Sequence, residues 1–167
     1  MNHEVYMRMA FDLALKGIGH ISPNPLVGAV LVRDNQVIGV GFHQKYRSAH
    51  AEVNAILDAK AKGFEIAGAT LYSNLEPCSH TQKNTPPCAP LIVEEKICRV
   101  VISNIDPNPK VSGNGVTILR DHGVEVITGV LAKEGLQLNE VFFKFITSNT
   151  PFVHLKMAQS LDGRVAT

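Results

Sequence analysis

The chain has 167 residues, of which 45% are hydrophobic and 19% are charged, and its formal net charge is +1. This length supports one domain with a substantial core and is too short for two full-size domains. The low net charge argues against binding to nucleic acid or to an acidic membrane, because both need a strongly basic surface. Small anionic ligands remain compatible with it, since a pocket can be basic on a neutral protein.

The N-terminal sequence and the number of cysteines indicate the cellular compartment of the protein. Glu4 and Arg8 interrupt the N-terminal stretch, so it does not have the pattern of a signal peptide. No run approaches the roughly 18 apolar residues that a membrane-spanning helix needs. Three cysteines are too few, and odd in number, for a disulfide framework. We therefore expect a protein of a reducing compartment, by default the cytoplasm, that does not enter a membrane.

Apolar periodicity and breaker residues predict helices and strands in alternation. In chain order the predicted elements are a helix from Asn2 to about Lys16, strands at 27–33 and 36–41 joined by a tight turn, a helix over 50–62, a strand over 69–75, a short helix over 89–95, a strand over 99–103, a short helix over 117–123, a strand over 124–128 and a helix over 131–145. We expect Ser48 to cap the second helix and Gly135 to weaken the last. The order predicts an α/β fold whose sheet is mostly parallel.

Two cysteines and one histidine form a candidate metal site. Cys78 and Cys88 lie in E-P-C-S-H-T-Q-K-N-T-P-P-C (76–88), and His50 lies in S-A-H-A-E (48–52). Zinc prefers nitrogen and sulfur ligands, and a catalytic zinc uses three protein ligands with one position left for water. Two thiolates and a neutral imidazole also cancel the formal charge of the dication. We predict a zinc ion held by His50, Cys78 and Cys88.

Placement along the predicted elements supports this site. His50 falls at the start of a helix, Cys88 begins another helix, and Cys78 follows a strand end, where open α/β sheets collect their ligands. Glu52 lies two residues after His50. Inside a regular helix this spacing would place the two side chains on different faces, but the looser geometry of a helix start lets both reach one cavity. A glutamate beside a zinc-bound water suits a proton shuttle.

Other readings of the same residues stay open. Zinc nucleobase deaminases carry H-x-E with P-C-x-x-C, whereas the second motif here is stretched to C-x9-C. Cys78 and Cys88 could be two buried structural thiols, or part of a structural zinc site in a binding module without chemistry. That site would need His80 as its fourth ligand. Cys98, before a β-branched run, is expected to be a small buried hydrophobe.

In combination these motifs resemble the deaminase half of the bifunctional deaminase/reductase family of riboflavin biosynthesis. The matching stretches are S-P-N-P-L-V-G-A-V (22–30), G-x-H (41–43), H-A-E (50–52), E-P-C-S-H (76–80), T-P-P-C (85–88) and D-P-N-P-K-V-S-G-N-G (106–115). The resemblance implies a three-layer α/β/α cytidine-deaminase-like domain with a mixed, mostly parallel five-stranded sheet. It implies the zinc ligands His50, Cys78 and Cys88 and the proton shuttle Glu52.

The resemblance also implies a substrate and its contacts. The substrate would be 2,5-diamino-6-ribosylamino-4(3H)-pyrimidinone 5′-phosphate, a pyrimidine nucleotide that loses one ring amine as ammonia. Asn24 matches the pocket asparagine of the family, and His43 is either a substrate contact or a surface residue at a strand end. The loop before T-P-P-C is one residue longer than usual, and within it Lys83 is the expected phosphate contact. Before H-A-E, the usual Gly–acid–Pro pattern is replaced by Arg47-Ser48-Ala49.

The last residues resemble the opening of the reductase half. We expect a zinc-dependent deaminase domain at 1–147 and the start of a truncated reductase domain at 148–167, where 151–167 begins like a strand. Lys156 and Ala158 match positions near the NADPH site, although NADPH would serve only a full-length reductase half. We expect no reductase activity from this chain alone. Related enzymes are often multimeric, so a homo-oligomer is a further expectation. The alternative function is a zinc deaminase for cytosine, guanine, deoxycytidylate or a tRNA adenosine.

Overall fold

The computed structural model describes residues 2–79, 86–108 and 112–165. Helices and strands alternate along most of this length. In chain order they are α1 (His3–Leu15), β1 (Gly28–Arg33), β2 (Gln36–Phe42), α2 (Ala51–Ala61), β3 (Thr70–Leu75), α3 (Cys88–Glu94), β4 (Arg99–Asn104), α4 (Asn114–Asp121), β5 (Glu125–Thr128), α5 (Ala132–Leu138) and α6 (Glu140–Ser148).

The five strands form one mixed sheet in the order β2-β1-β3-β4-β5. Strand β1 pairs antiparallel with both β2 and β3, whereas β3, β4 and β5 pair parallel. Four strands therefore run in one direction and β1 is reversed, which confirms the predicted mixed and mostly parallel sheet. Because β3 and β4 are parallel neighbours, their carboxyl ends lie side by side, and the Glu76 N–H there donates to Asn104 O at 3.0 Å.

Side chains alternate between two cores, one on each face of the sheet. Leu31, Leu71 and Val100 point to the face covered by α2, α3 and α4. Their neighbours Val30, Tyr72 and Val101 point to the opposite face, against α1 and the end of α5. Successive residues of a strand face opposite sides, so near-continuous apolar strands are what a sheet covered on both faces requires. The three-layer α/β/α arrangement is thereby confirmed.

Helix α2 lies unusually close to β2 because two glycines face it. A Cβ at Gly41 would collide with Ala51 O and Ala55 N, and a Cβ at Gly39 would collide with Ala55 O. The first turn of α2 can therefore approach the strand backbone directly. This close packing places the residues immediately before and within that turn, which include His50 and Glu52.

Two predicted helix starts differ from the observed ones. Ser48 does not cap α2: its hydroxyl donates to Lys45 O within the preceding turn, and His50 is the N-cap residue. Helix α4 begins at Asn114, three residues before the predicted start at 117. The loop glycines suggested a later start, but Gly113 takes the N-cap position with a φ of 76° that glycine adopts readily.

The last predicted helix is divided in two, and the break lies at Asn139 instead of at Gly135. The Asn139 side chain accepts a hydrogen bond from Leu26 N at 2.8 Å and donates one to Leu26 O at 2.8 Å. This tertiary pairing holds Asn139 outside helical geometry, with a φ of −115°. Gly135 lies within α5 and packs against Asn104, where a Cβ would collide with the side-chain oxygen.

The C-terminal stretch and Cys98 also differ from expectation. Between 149 and 165, no helix or strand forms among the described residues, although 151 onward was expected to begin a strand. Cys98 is exposed instead of buried, and its thiol donates to Gly68 O at 3.0 Å. Across the same described ranges, no helix combines the length and the apolar character needed to cross a bilayer.

Asp58 links α2 to β2 and provides a test of the fold by pH. Its Oδ2 accepts hydrogen bonds from Val40 N at 2.8 Å and from Lys62 Nζ at 2.6 Å. Partial burial alone would raise the pKa of Asp58, but the Lys62 ammonium and the Val40 N–H outweigh it, so the pKa lies below its ordinary value.

We expect Asp58→Asn to lower the free energy of unfolding at neutral pH by about 1 kcal/mol. A carboxyl group with a depressed folded-state pKa stabilises above its unfolded pKa, and the contribution is lost as pH falls through the folded value. The difference between wild type and variant should therefore shrink in acid. Urea unfolding of both proteins at matched pH values measures it, and a difference that grows in acid would contradict this account.

Candidate active site

Three metal-binding side chains converge at the carboxyl edge of the sheet. His50 Nδ1, Cys78 Sγ and Cys88 Sγ all lie within 4.8 Å of one another. The imidazole nitrogen is 3.3 Å from Cys88 Sγ and 3.4 Å from Cys78 Sγ. His50 is the N-cap of α2, Cys78 follows β3, and Cys88 is the first residue of α3. The fold therefore brings together the three residues that were predicted to bind zinc.

Backbone hydrogen bonds hold the two cysteines in place. The Cys88 N–H donates to Cys78 Sγ at 3.4 Å, and the Ala89 N–H donates to Cys78 O at 3.0 Å. A hydrogen bond from the Cys88 thiol lowers the pKa of Cys78 well below its ordinary value. The same hydrogen bond, together with burial, raises the pKa of Cys88. The lowered pKa of Cys78 favours its thiolate, the form of cysteine that binds a metal.

The donor set fits a zinc ion. Two sulfurs and one imidazole nitrogen match the ligands that zinc prefers, and both cysteines are buried where no disulfide joins them. Within the described ranges, no fourth histidine, cysteine or carboxylate joins this group. His80, the fourth ligand that a closed structural site would need, lies outside the described residues. Zinc would thus be held by His50, Cys78 and Cys88.

Glu52 lies beside the metal-binding group without belonging to it. It occupies the first turn of α2, is only 3% exposed, and lines the same cavity as His50 and Cys78. Burial raises the pKa of Glu52, and the nearby His50 lowers it in part. A buried carboxyl group with a raised pKa accepts a proton more readily than an exposed one at neutral pH.

A cavity of about 250 Å³ opens in front of these residues. Its size lies just below the roughly 300 Å³ at which pockets for drug-sized ligands begin, so it suits about one heterocyclic ring. Phe142, Phe145 and Ile146 of α6 give it one apolar wall. Asp106 and Asn108, which follow β4, give it a polar wall. The sequence left open whether Asp106 and the glycines after it shape the rim of a pocket or only form a loop, and Asp106 does line the cavity.

Asn24 and His43 line the same cavity and form a hydrogen-bonded pair. Asn24 Nδ2 lies 3.1 Å from His43 Nε2, and His43 Nδ1 lies 3.1 Å from Ala49 O. Because a carbonyl oxygen only accepts, His43 carries its proton on Nδ1 and accepts from Asn24 at Nε2. The His43 ring is 4% exposed and meets the His50 ring edge-on at 5.6 Å. His43 is thus a buried residue of the site and not a surface residue at a strand end.

Two buried asparagines that the sequence analysis missed hold the loop that carries Asn24. Asn74 accepts from Gly28 N at 2.7 Å and donates to Leu26 O at 2.9 Å. Asn139 pairs with both backbone polar atoms of Leu26. Asn74 is 1% exposed and Asn139 is 4% exposed. A polar residue inside the apolar strand 69–75 was the available signal, since a buried amide needs specific partners.

The remaining predicted site residues are Lys83, Lys156 and Ala158. Lys83, the expected phosphate contact, lies outside the described residues. Lys156 and Ala158, expected near an NADPH site, are exposed on the stretch after α6 and do not line the cavity. Their predicted roles therefore stay predictions.

Sequence comparison and structure comparison with known proteins both identify a family of deaminases. The model of the cytidine and deoxycytidylate deaminase zinc-binding region matches residues 1–104. The riboflavin biosynthesis protein RibD of Bacillus amyloliquefaciens is 51% identical over 98% of this chain and 43% of its own length. The diaminohydroxyphosphoribosylamino-pyrimidine deaminase of Buchnera aphidicola is 46% identical over 90% of this chain and 100% of its own length.

A solved structure is similar over nearly the whole chain. The crystal structure of a diaminohydroxyphosphoribosylaminopyrimidine deaminase/5-amino-6-(5-phosphoribosylamino)uracil reductase from Thermotoga maritima superposes with a TM-score of 0.94 at 51% identity, over 98% of this chain and 46% of that one. The chain thus spans less than half the length of this bifunctional relative and of RibD. It belongs to the cytidine and deoxycytidylate deaminase zinc-binding family and, within it, to the diaminohydroxyphosphoribosylaminopyrimidine deaminases.

Proposed function

We propose that this chain removes one ring amine from 2,5-diamino-6-ribosylamino-4(3H)-pyrimidinone 5′-phosphate by hydrolysis. The observation that carries the proposal is the convergence of His50, Cys78 and Cys88 next to the buried Glu52, at a cavity of the size of one ring. The choice of substrate is supported by a relative that is named as the deaminase of this compound. This chain is 46% identical to that relative and covers its full length.

The chemistry requires a nucleophilic water and a group that moves protons. Zinc held by His50, Cys78 and Cys88 would supply a Lewis acid that activates water. Glu52 takes a proton from water and gives it to a ring nitrogen next to the carbon under attack. A second proton then passes to the amine, the C–N bond breaks, and ammonia leaves as the ring carbon gains its carbonyl oxygen. Burial raises the pKa of Glu52, which suits both halves of this transfer.

Asn24 and His43 orient the ring. Because Asn24 Nδ2 is engaged by His43 Nε2, the carboxamide presents its oxygen as an acceptor for an N–H or amine of the ring. His43 in turn is held by Ala49 O, one residue before His50. The substrate contact and the zinc ligand are thereby positioned by the same turn. Lys83 remains our candidate for the phosphate contact.

Release of ammonia tests this function directly. We expect the purified chain, with one equivalent of zinc, to release one ammonia per molecule of the diaminopyrimidine phosphate and to leave cytidine, dCMP and guanine unchanged. A coupled ammonia assay with these four compounds measures it. If no ammonia is released from the diaminopyrimidine phosphate, the proposal is contradicted. Turnover of dCMP alone would favour the alternative deaminase.

Residues 148–167 are the start of a reductase domain, and residues 1–147 are the deaminase domain. The bifunctional relatives support this division, since the chain covers less than half of their length. Val153 is 78% exposed and Leu155 is 83% exposed, as expected for side chains that pack against a further domain. NADPH contacts at Lys156 and Ala158 belong to that domain. A homo-oligomer and a cytoplasmic location stay predictions.

A further inference from the structure

Glu76 is a buried acidic residue at the carboxyl edge of the sheet, and neither the metal site nor the proton transfer uses it. It follows β3, lies two residues before Cys78, and is 3% exposed. A carboxylate removed from water needs several hydrogen bonds to compensate for its lost hydration. Its partners therefore show what the residue does.

All three hydrogen bonds described for the Glu76 carboxylate come from backbone N–H groups of the segment after β4. Oε2 accepts from Asp106 N at 3.1 Å and from Gly113 N at 3.0 Å. Oε1 accepts from Val116 N at 3.2 Å. One side chain thus joins the end of β3 to both described ends of the connection between β4 and α4.

Glu76 also replaces a missing helix cap. Gly113 is the N-cap of α4 and has no side chain to accept from the first N–H groups of the helix. The carboxylate supplies this acceptor from a different element, and its negative charge is favourable at the positive end of a helix. Gly115 makes the approach possible, because a Cβ there would collide with Pro77 O and lie 3.1 Å from Glu76 Oε1.

The anchored segment forms the polar wall of the cavity. Asp106 and Asn108 both line it, and Asp106 Oδ1 accepts from Asn108 N at 2.9 Å, so the two residues form one turn. The Asp106 N–H that Glu76 holds belongs to the same turn. A displacement of this wall moves both side chains relative to a ligand in the cavity and weakens its binding.

We propose that Glu76 is a positioning residue of the active site: its carboxylate holds residues 105–108 and 112–116 so that Asp106 and Asn108 face the bound substrate. The proposal rests on the proposed function, because it concerns the wall of that same cavity. It adds a link between the strand that leads to Cys78 and the polar wall of the cavity. Glu76 itself also lines the cavity, and the role proposed for it is exerted through the backbone of this wall.

The test compares Glu76→Gln with wild type, both loaded with zinc. A carboxamide offers one oxygen and one NH₂ group, so at least one of the three N–H groups then faces a donor instead of an acceptor. We expect hydrogen exchange at the Asp106, Gly113 or Val116 amide to accelerate roughly tenfold. We expect KM for the diaminopyrimidine phosphate to rise about tenfold while kcat falls less than threefold and zinc content stays at about one per chain.

Two further variants separate positioning from general loss of stability. Asp58→Asn is the matched control, since Asp58 also accepts a backbone N–H from another element but does not line the cavity. It should lower stability and leave KM unchanged. Gly115→Ala pushes the same wall away while keeping the carboxylate, and it should raise KM as Glu76→Gln does.

Each outcome decides a separate point. An unchanged KM in Glu76→Gln, with an active wild type, overturns the positioning role, even if the variant melts earlier. Unchanged exchange at all three amides overturns the anchoring itself. Failure of the wild type to release ammonia overturns the proposed function, and the positioning role falls with it; the exchange rates then report only on the fold.

Discussion

Replacing Glu52 with glutamine lowers kcat for ammonia release by on the order of 10² or more and leaves zinc bound. Glutamine has nearly the same shape, but its amide cannot take a proton from water and pass it on. Because Glu52 is not one of the three converging donors, its removal leaves the metal ligands intact. Steady-state ammonia assays and metal analysis of the same protein sample measure the two halves of this expectation.

A matched control is available in the first turn of another helix. Glu4 lies in the first turn of α1 and is exposed, so Glu4→Gln removes a helix-terminal charge without entering the cavity. We expect it to keep wild-type kcat. Near-normal turnover by Glu52→Gln, or loss of its zinc, would show that Glu52 is a structural residue or a ligand and not the proton shuttle.

Replacing Cys88 with serine abolishes both zinc binding and activity. Serine keeps the size of the side chain but offers a neutral oxygen in place of a thiolate, which zinc prefers. Cys88 lies 3.3 Å from His50 Nδ1 and its backbone also holds Cys78, so loss of its sulfur leaves two ligands. We expect less than about a tenth of the zinc content of the wild type, activity reduced by roughly 10³ or more, and a lower melting temperature, since metal binding stabilises the folded state.

Cys98 provides the control for this substitution in the same chain. It is exposed and its thiol donates to the main-chain oxygens of Gly68 and Ala69, a role that a serine hydroxyl also fills. Cys98→Ser should therefore keep zinc and activity. Full zinc content in Cys88→Ser, or an equal loss in both variants, would contradict the assignment of Cys88 as a ligand.

Most helices and strands could be predicted because each depends on apolar periodicity and turn residues within its own short stretch of sequence. Strands β1 and β2 and their tight turn follow from an apolar run interrupted by Asp34 and Asn35, which adopt φ values of 51° and 61° in the structure. The donors His50, Cys78 and Cys88 were predicted because few other chemistries use one imidazole and two thiols with a neighbouring glutamate. The family resemblance supplied Asn24 and His43 as site residues, and both line the cavity.

The failures share a physical cause, which is a partner that is distant in sequence. Nothing near Asn139 predicts a break, since the break depends on Leu26 lying opposite, 113 residues away. Cys98 was expected to be buried because a β-branched run follows it, but it is exposed and lies one residue before β4 begins. Glu76 looked like part of a motif, and its role depends on α4 lacking a cap of its own.

The amino-acid sequence by itself determined which segments become helices and strands and which side chains are able to bind a zinc ion, because periodicity and donor chemistry are properties of short stretches. Only the tertiary structure decided that His50, Cys78 and Cys88 meet within 4.8 Å, that Glu52 is buried beside them, and which backbone groups fix the cavity walls. The reason is geometric: parallel strands bring their carboxyl ends to one edge, and the contacts made there join residues that no local pattern connects.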